Sequence, residues 1–218
     1  PPRADDLRRA LPEAELHCGA FAPRLLEGVE LLVLSPGLSI ETPLVQTARA
    51  REIPVAGEIE LFAWALAASD QGRLVAVTGT NGKTTVAALT GHLLRVAGID
   101  CEVAGNIGPA ALAALAARKD AGQLPAVWVL ELSSYQLETT WTLAADAAAM
   151  LNLSEDHLDR YAGLADYAAA KQRIFAGAAM QVLNRDDARS LAMAVAGRRR
   201  LGFGVGAPTG EDEFGLVS

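Results

Sequence analysis

Leu74-Val75-Ala76-Val77-Thr78-Gly79-Thr80-Asn81-Gly82-Lys83-Thr84-Thr85-Val86 is an apolar run that empties through a glycine loop into a helix-forming stretch. A buried strand, a glycine turn and a helix N-terminus in that order make a phosphate site. The glycines let the backbone turn tightly, so that successive N–H groups face one anion. The helix start adds unpaired donors and the positive end of its dipole. Lys83 has the reach to touch β- and γ-phosphates, and the Thr84 hydroxyl suits the accompanying magnesium ion. The spacing is a shortened GxxGK[ST] form, because Val77 stands where the longer loop has its first glycine. A plain glycine turn would leave Lys83-Thr84-Thr85 unexplained, so the loop reads as a nucleoside triphosphate site.

Outward from the loop, short β-branched or Leu/Val-rich runs alternate with Ala/Leu-rich helical stretches. That is the pattern of an α/β fold with a mainly parallel sheet. Strands are expected at Glu30–Leu34, Leu74–Thr78, around Cys101–Ala104, and at Val127–Leu132, Ala147–Leu153, Gln181–Asn184 and Arg200–Phe203. Helices are expected at Pro43–Arg51, Glu58–Ala68, Thr84–Ala97, Pro109–Ala117 and Tyr167–Ala176. Asp70-Gln71-Gly72 breaks the pattern, which divides the chain into residues 1–71 and 72–218, with a hinge near Gln71-Gly72. The chain reaches its first helix without a preceding strand and stops as an apolar run begins at Phe214. Both ends therefore read as those of a fragment.

The bulk properties narrow the class. Of the 218 residues, 51% are hydrophobic and 21% charged, which suits a folded globular chain rather than a disordered one. The net charge of −7 disfavours a nucleic-acid surface. The basic run Arg198-Arg199-Arg200 reads as a solvated turn. No window approaches the roughly 20 apolar residues of a membrane span, and the charges from Arg3 to Arg9 argue against a secretory signal. Cys18 and Cys101 form no CxxC pair and read as free thiols in a reducing cytoplasm.

Three further segments carry ionisable groups at the ends of apolar runs. In Trp128-Val129-Leu130-Glu131-Leu132-Ser133-Ser134-Tyr135-Gln136, Glu131 ends a strand on the ligand side of an open sheet. There it can hold magnesium directly or through water, although the segment alone slightly favours a helix-entry residue or a solvated turn. In Met150 through Arg160, Asp156 and His157 sit where a second cation or a triphosphate would lie, although a solvated loop reads as well. In Tyr167–Phe175, Lys171 lies near the middle of an amphipathic helix, where a lysine is ordinarily a surface charge. Gly105-Asn106-Ile107-Gly108 reads as a tight turn between strand and helix.

Together these segments resemble the Mur ligase family, the ATP-dependent amide-bond ligases that build the peptidoglycan stem peptide. The resemblance is carried by Gly79–Thr85, Gly105–Gly108, Glu131–Glu138 and Asn152–Tyr161, with Leu34–Gly37 and Gly57–Phe62 upstream. It is strongest to the branch that adds D-glutamate to UDP-N-acetylmuramoyl-L-alanine. It implies an incomplete Rossmann-like UDP-binding domain at 1–71, followed by a P-loop-type ATPase domain at 72–218 and lacking the family's third domain. By the resemblance, Lys83 and the backbone of Gly79, Thr80, Asn81, Gly82, Thr84, Thr85 and Val86 would grip ATP. Thr84 and Glu131 would hold one Mg2+. His157 would hold a second together with Lys171, which matches the family's carbamylated lysine. That implication reverses the surface-charge reading of Lys171. Ser35, Pro36, Gly37, Asn106 and Ser133 would face the UDP-muramoyl substrate. The implied protein is a cytoplasmic monomer acting on small molecules, with no nucleic-acid or membrane partner. Its fragment would not turn over alone. A folylpolyglutamate synthase relative, and a regulatory module that senses or hydrolyses ATP, are the competing readings.

Overall fold

The structure is a computed structural model and describes residues 4–69, 72–157 and 159–217. In chain order its elements are α1 (Ala4–Ala10), β1 (Leu32–Val33), α2 (Pro43–Ala50), β2 (Val55–Ala56), α3 (Glu58–Ala67), β3 (Arg73–Thr78), α4 (Lys83–Val96) and β4 (Cys101–Gly105). There follow α5 (Ala111–Asp120), β5 (Val127–Glu131), α6 (Ser134–Leu137), β6 (Ala147–Met150), α7 (Leu164–Gln172), β7 (Met180–Asn184), α8 (Ala188–Ala192), β8 (Arg199–Phe203) and β9 (Glu213–Phe214). Of the expected boundary Asp70-Gln71-Gly72, Asp70 and Gln71 lie outside the described residues, as does half of the expected hinge.

Seven strands form one parallel sheet in the order β4-β5-β3-β6-β7-β8-β9. A parallel sheet is covered on both faces, so its central strands are apolar throughout; all five residues of β5 are buried. Alternation then decides which neighbour each side chain meets. Val127 and Val129 join Ala87 of α4 and Cys101 on one face. Trp128 and Leu130 join Ile59 and Phe62 of α3 and Leu115 of α5 on the other. From β3 the chain moves out to β4, returns to β5 beside β3, and then crosses to β6 on β3's far side. The C-terminal end of β3 is therefore the topological switch point, where open α/β sheets bind ligands.

Residues 4–56 have a separate small core of Leu26, Leu34, Val45, Ala48 and Val55 around the parallel pair β1–β2. Helix α3 follows this unit but packs into the larger core, its Phe62 ring meeting Trp128 edge-on at 5.2 Å. Its sequence EIELFAWALA explains this, since apolar residues run around most of its circumference and a nearly all-apolar helix is a buried one. Two carboxylates fix it further. Glu58 accepts the N–H of Leu112 in the first turn of α5. Buried Glu60 accepts the N–H groups of Trp141 at 2.7 Å and Thr142 at 3.0 Å, and also the Thr142 hydroxyl.

Several expectations shift by small amounts for physical reasons. The strand expected to run to Leu153 ends at Met150, because Leu151–Ser154 turn away from the sheet ladder toward the Gly79 loop. The helix expected over Tyr167–Ala176 starts at Leu164 and tightens into a 3-10 turn at Arg173–Phe175. Arg199 and Arg200 belong to strand β8 rather than a turn, while Arg198 donates to the carbonyls of Ala176 and Ala178. Both cysteines are free, Cys18 exposed and Cys101 buried. Among the described residues, no helix is long and apolar enough to cross a membrane.

The Glu60 anchor generates a prediction. Glu60→Ala strips the acceptor from two backbone donors and a hydroxyl, and should lower unfolding stability by about 2–4 kcal/mol in urea titration. A loss under about 0.5 kcal/mol, typical of neutral surface changes, would show that α3 is held by apolar packing alone.

Candidate active site

Three strand ends converge on the switch point. After β3, Gly79–Gly82 lead into α4, and Gly82 has a left-handed backbone with φ 79°, which favours glycine. No side chain caps α4, so its first N–H groups face the crevice as donors for an anion. The loop is braced from the β6 side. Thr80 N–H donates to Asn152 O at 2.9 Å, and Asn81 N–H donates to Asn152 Oδ1 at 2.9 Å. Asn152 Nδ2 donates back to Asn81 O at 3.1 Å, and the Thr80 hydroxyl accepts Ser154 N–H at 3.0 Å. Asn152 thus fixes the loop's shape through its side chain, a role that its presence in the quoted motif did not reveal.

From β5, Glu131 enters the crevice 1% exposed. Its Oε2 accepts the Thr84 hydroxyl at 2.8 Å and its Oε1 accepts Asn106 Nδ2 at 2.7 Å. The approach of Asn106 depends on Gly105, whose φ is 101°; a Cβ there would stand 2.4 Å from the Glu131 carbonyl oxygen. With no side chain at that position, Asn106 N–H donates to the same carbonyl at 2.8 Å. Ser133 caps α6 in a reciprocal box with Gln136, which turns the chain sharply after Glu131.

Lys171 departs from the surface charge that helix pattern alone suggests. It is 1% exposed, and its Nζ donates to Gly79 O at 2.8 Å. Lys83 Nζ donates to the same carbonyl at 3.0 Å and to Thr80 O at 2.9 Å. Burial, reinforced by the charge of Lys83 and opposed by Asp156, pulls the Lys171 ammonium from 10.5 down to about 7. Near neutral pH this lysine is therefore substantially a free amine. His157 sits on a left-handed backbone with φ 54° and packs on Tyr135 at 4.9 Å and Tyr167 at 6.0 Å. The Tyr167 ring also meets Lys171 Nζ at 4.7 Å from its centre.

The structure thus brings Thr84, Glu131 and Asn106 together, and separately joins Lys83 to Lys171. It sets His157 against Tyr167, the ring that Lys171 also touches. Ser35, Pro36 and Gly37 lie at the edge of the small unit, tied to the larger one through Arg160. A hydroxyl and a carboxylate are hard oxygen donors of the kind magnesium takes, with the rest of its shell from phosphates and water. Among the described residues, no group of three or more His, Cys, Asp or Glu is placed to hold a metal ion.

The family described as Mur ligase middle domain matches residues 77–210, and the family described as Mur ligase MurD-like, N-terminal domain, matches residues 1–57. The UDP-N-acetylmuramoylalanine–D-glutamate ligase of Nitrosospira multiformis is 53% identical over the whole chain, which covers 47% of that protein. The ligase of the same name from Nitrosomonas europaea is 49% identical, again over the whole chain and 47% of the relative. The chain therefore spans about half the length of the curated relatives it matches. Among solved structures, a UDP-N-acetylmuramoyl-L-alanyl-D-glutamate–2,6-diaminopimelate ligase superposes with a TM-score of 0.58 at 25% identity, over 92% of this chain and 53% of that one.

The state of Lys171 predicts how stability varies with pH. Between about 7 and 10.5 the unfolded chain holds this proton and the folded chain does not, so stability rises with pH in that window. The rise approaches ~1.4 kcal/mol per pH unit for one proton. In carbon-dioxide-free buffer, denaturant titrations from pH 7 to 9 should show Lys171→Met flattening the wild-type slope. Parallel profiles would mean that the buried amine keeps its ordinary affinity for the proton.

Proposed function

The chain belongs to the Mur ligase family, and from that premise we propose that the protein containing it joins D-glutamate to UDP-N-acetylmuramoyl-L-alanine at the expense of ATP. The observation that carries this reading is the convergence of Thr84, Glu131 and Asn106 beside the phosphate loop. It stands in a chain about half identical to D-glutamate ligases. In the proposed reaction the substrate carboxylate attacks the γ-phosphorus of ATP, giving an acyl phosphate and ADP. The amine of D-glutamate then adds to the acyl carbon, and phosphate leaves.

Two anions must meet in the first step, and the residues are arranged to lower that repulsion. Within Gly79–Val86, whose Thr80 and Asn81 N–H groups are held by Asn152, the uncapped donors at the start of α4 would receive the triphosphate, and Lys83 would leave the Gly79 and Thr80 carbonyls to place its charge on the β- and γ-phosphates. Thr84 and Glu131 would hold one magnesium ion. His157 would hold a second with Lys171, after the Lys171 amine has lost a proton and added carbon dioxide as a carbamate. Magnesium supplies charge neutralisation on the transferring phosphoryl group. The buried amine supports the carbamate, because only an unprotonated nitrogen adds carbon dioxide and an anion there relieves the Lys83–Lys171 repulsion.

Asn106 and Ser133 would orient the muramoyl part, and Ser35-Pro36-Gly37 the uridine diphosphate. Residues 1–71 then serve the UDP substrate and residues 72–218 serve ATP, with α3 as the strut that fixes one to the other. We place the protein in the cytoplasm as a monomer that acts on small molecules, without a nucleic-acid or membrane partner. The net charge of −7 supports the absence of a nucleic-acid role.

With the full-length protein, phosphate release from ATP should require both UDP-N-acetylmuramoyl-L-alanine and D-glutamate. Lys83→Ala should lower it about a hundredfold or more, in the range seen when one preorganised donor is removed. Lys171→Ala should do so without rescue by bicarbonate. Phosphate release indifferent to both substrates would point to a nucleotide sensor or simple ATPase instead.

A further inference from the structure

Resting on the ligase reading, we propose that Arg160 is a positioning residue that sets the Ser35–Leu38 turn of the small unit against the metal-side loop of the larger one. The observation is a single side chain whose donors are divided between two units. Arg160 NH1 donates to Pro36 O at 3.0 Å, and NH2 donates to Leu38 O at 3.0 Å. Its Nε and NH2 also donate to Glu138, just after α6. The side chains of Arg160 and Glu138 are 10% and 6% exposed, so the pair is withdrawn from solvent.

The turn that receives Arg160 is compact, with Leu38 N–H donating to Ser35 O at 2.9 Å, so holding two of its carbonyls fixes the whole of it. At its other end the arginine is continuous with the site. Its own N–H donates to His157 O at 2.9 Å. Its guanidinium lies 4.1 Å from the centre of the Tyr135 ring, which also packs on His157. Among the described residues, the two bonds from Arg160 are the side-chain hydrogen bonds that join residues 4–56 to residues 72–217. Beside them lies a cavity of about 570 Å³, lined by Ser39, Ile40 and Glu41 on one side and Ala169 and Arg173 on the other.

The geometry also explains why the residue is an arginine. Four bonds to four oxygens of three residues, with a ring against one face, need a planar fork of five donors; a lysine ammonium can meet one cluster but not both. The Arg160 guanidinium reaches no residue of Gly79–Thr84, and its bond to His157 O comes from the backbone and survives a change of side chain, so its effect should fall on the UDP substrate and spare the nucleotide.

The test is calorimetric binding to the full-length protein, with UDP-N-acetylmuramoyl-L-alanine and, separately, a non-hydrolysable ATP analogue with magnesium. Arg160→Ala and Arg160→Lys should each bind the UDP compound about ten- to a hundredfold more weakly, the range for losing charge-assisted hydrogen bonds. Their affinity for the ATP analogue should match the wild type. If Arg160→Ala does not fold, Arg160→Lys, which keeps a cation beside Glu138, carries the test. Unchanged affinity for the UDP compound would overturn the proposal. So would a parallel fall in both affinities, which is the mark of a general structural role. A wild-type protein that does not bind the UDP compound would instead remove the ligase reading on which the proposal rests.

Discussion

Two lysine side chains, Lys83 and Lys171, donate to one backbone carbonyl at the end of the central strand. The Gly79 oxygen holds them at 3.0 and 2.8 Å, with Lys171 removed from solvent. Like charges so placed are tolerated only if one gives up its proton or an anion arrives to separate them. The rest of the crevice answers that demand. Helix α4 presents uncapped donors, Glu131 stands at the next strand end, and the hydroxyl of Thr84 lies between them. On the proposed reading, the site would receive an anion that separates the two lysines.

The sheet order makes this arrangement possible. Because β5 and β6 both flank β3, the segments that follow all three strands open into the same crevice. Asn152 braces the phosphate loop from the β6 side, and Asn106 reaches Glu131 from β4, where Gly105 lets the backbones approach. Each contact is a few ångströms long, yet the partners are tens of residues apart in the chain. Precise placement on rigid strand ends is what a reaction between two anions requires.

Legibility in the sequence followed the range of the interaction concerned. Gly79–Thr85 was readable because its glycines, lysine and threonines act within one turn of backbone. Glu131 was readable as a strand-end carboxylate, although not as a choice between metal ligand and turn residue. Lys171 was legible only through resemblance. The alanines Ala168–Ala170 before it blur the apolar face of α7, and its burial is decided by the end of β3, some 92 residues away. Arg160 carried no local signal, since its acceptors Pro36 and Leu38 lie more than 120 residues upstream. The two-residue strands β2 and β9 were missed because alternation needs more than one period to be seen. Helix α3 was legible as a helix, but its all-round apolarity was the cue that it packs into the larger core.

The most direct test of the account follows one oxygen atom. If the full-length protein activates a carboxylate as an acyl phosphate, UDP-N-acetylmuramoyl-L-alanine labelled with oxygen-18 in its carboxylate must pass one labelled oxygen to inorganic phosphate. Mass spectrometry of the phosphate released in the presence of D-glutamate should find that single label. Unlabelled phosphate would mean that water, rather than the substrate carboxylate, attacks ATP in this crevice, and would contradict the account.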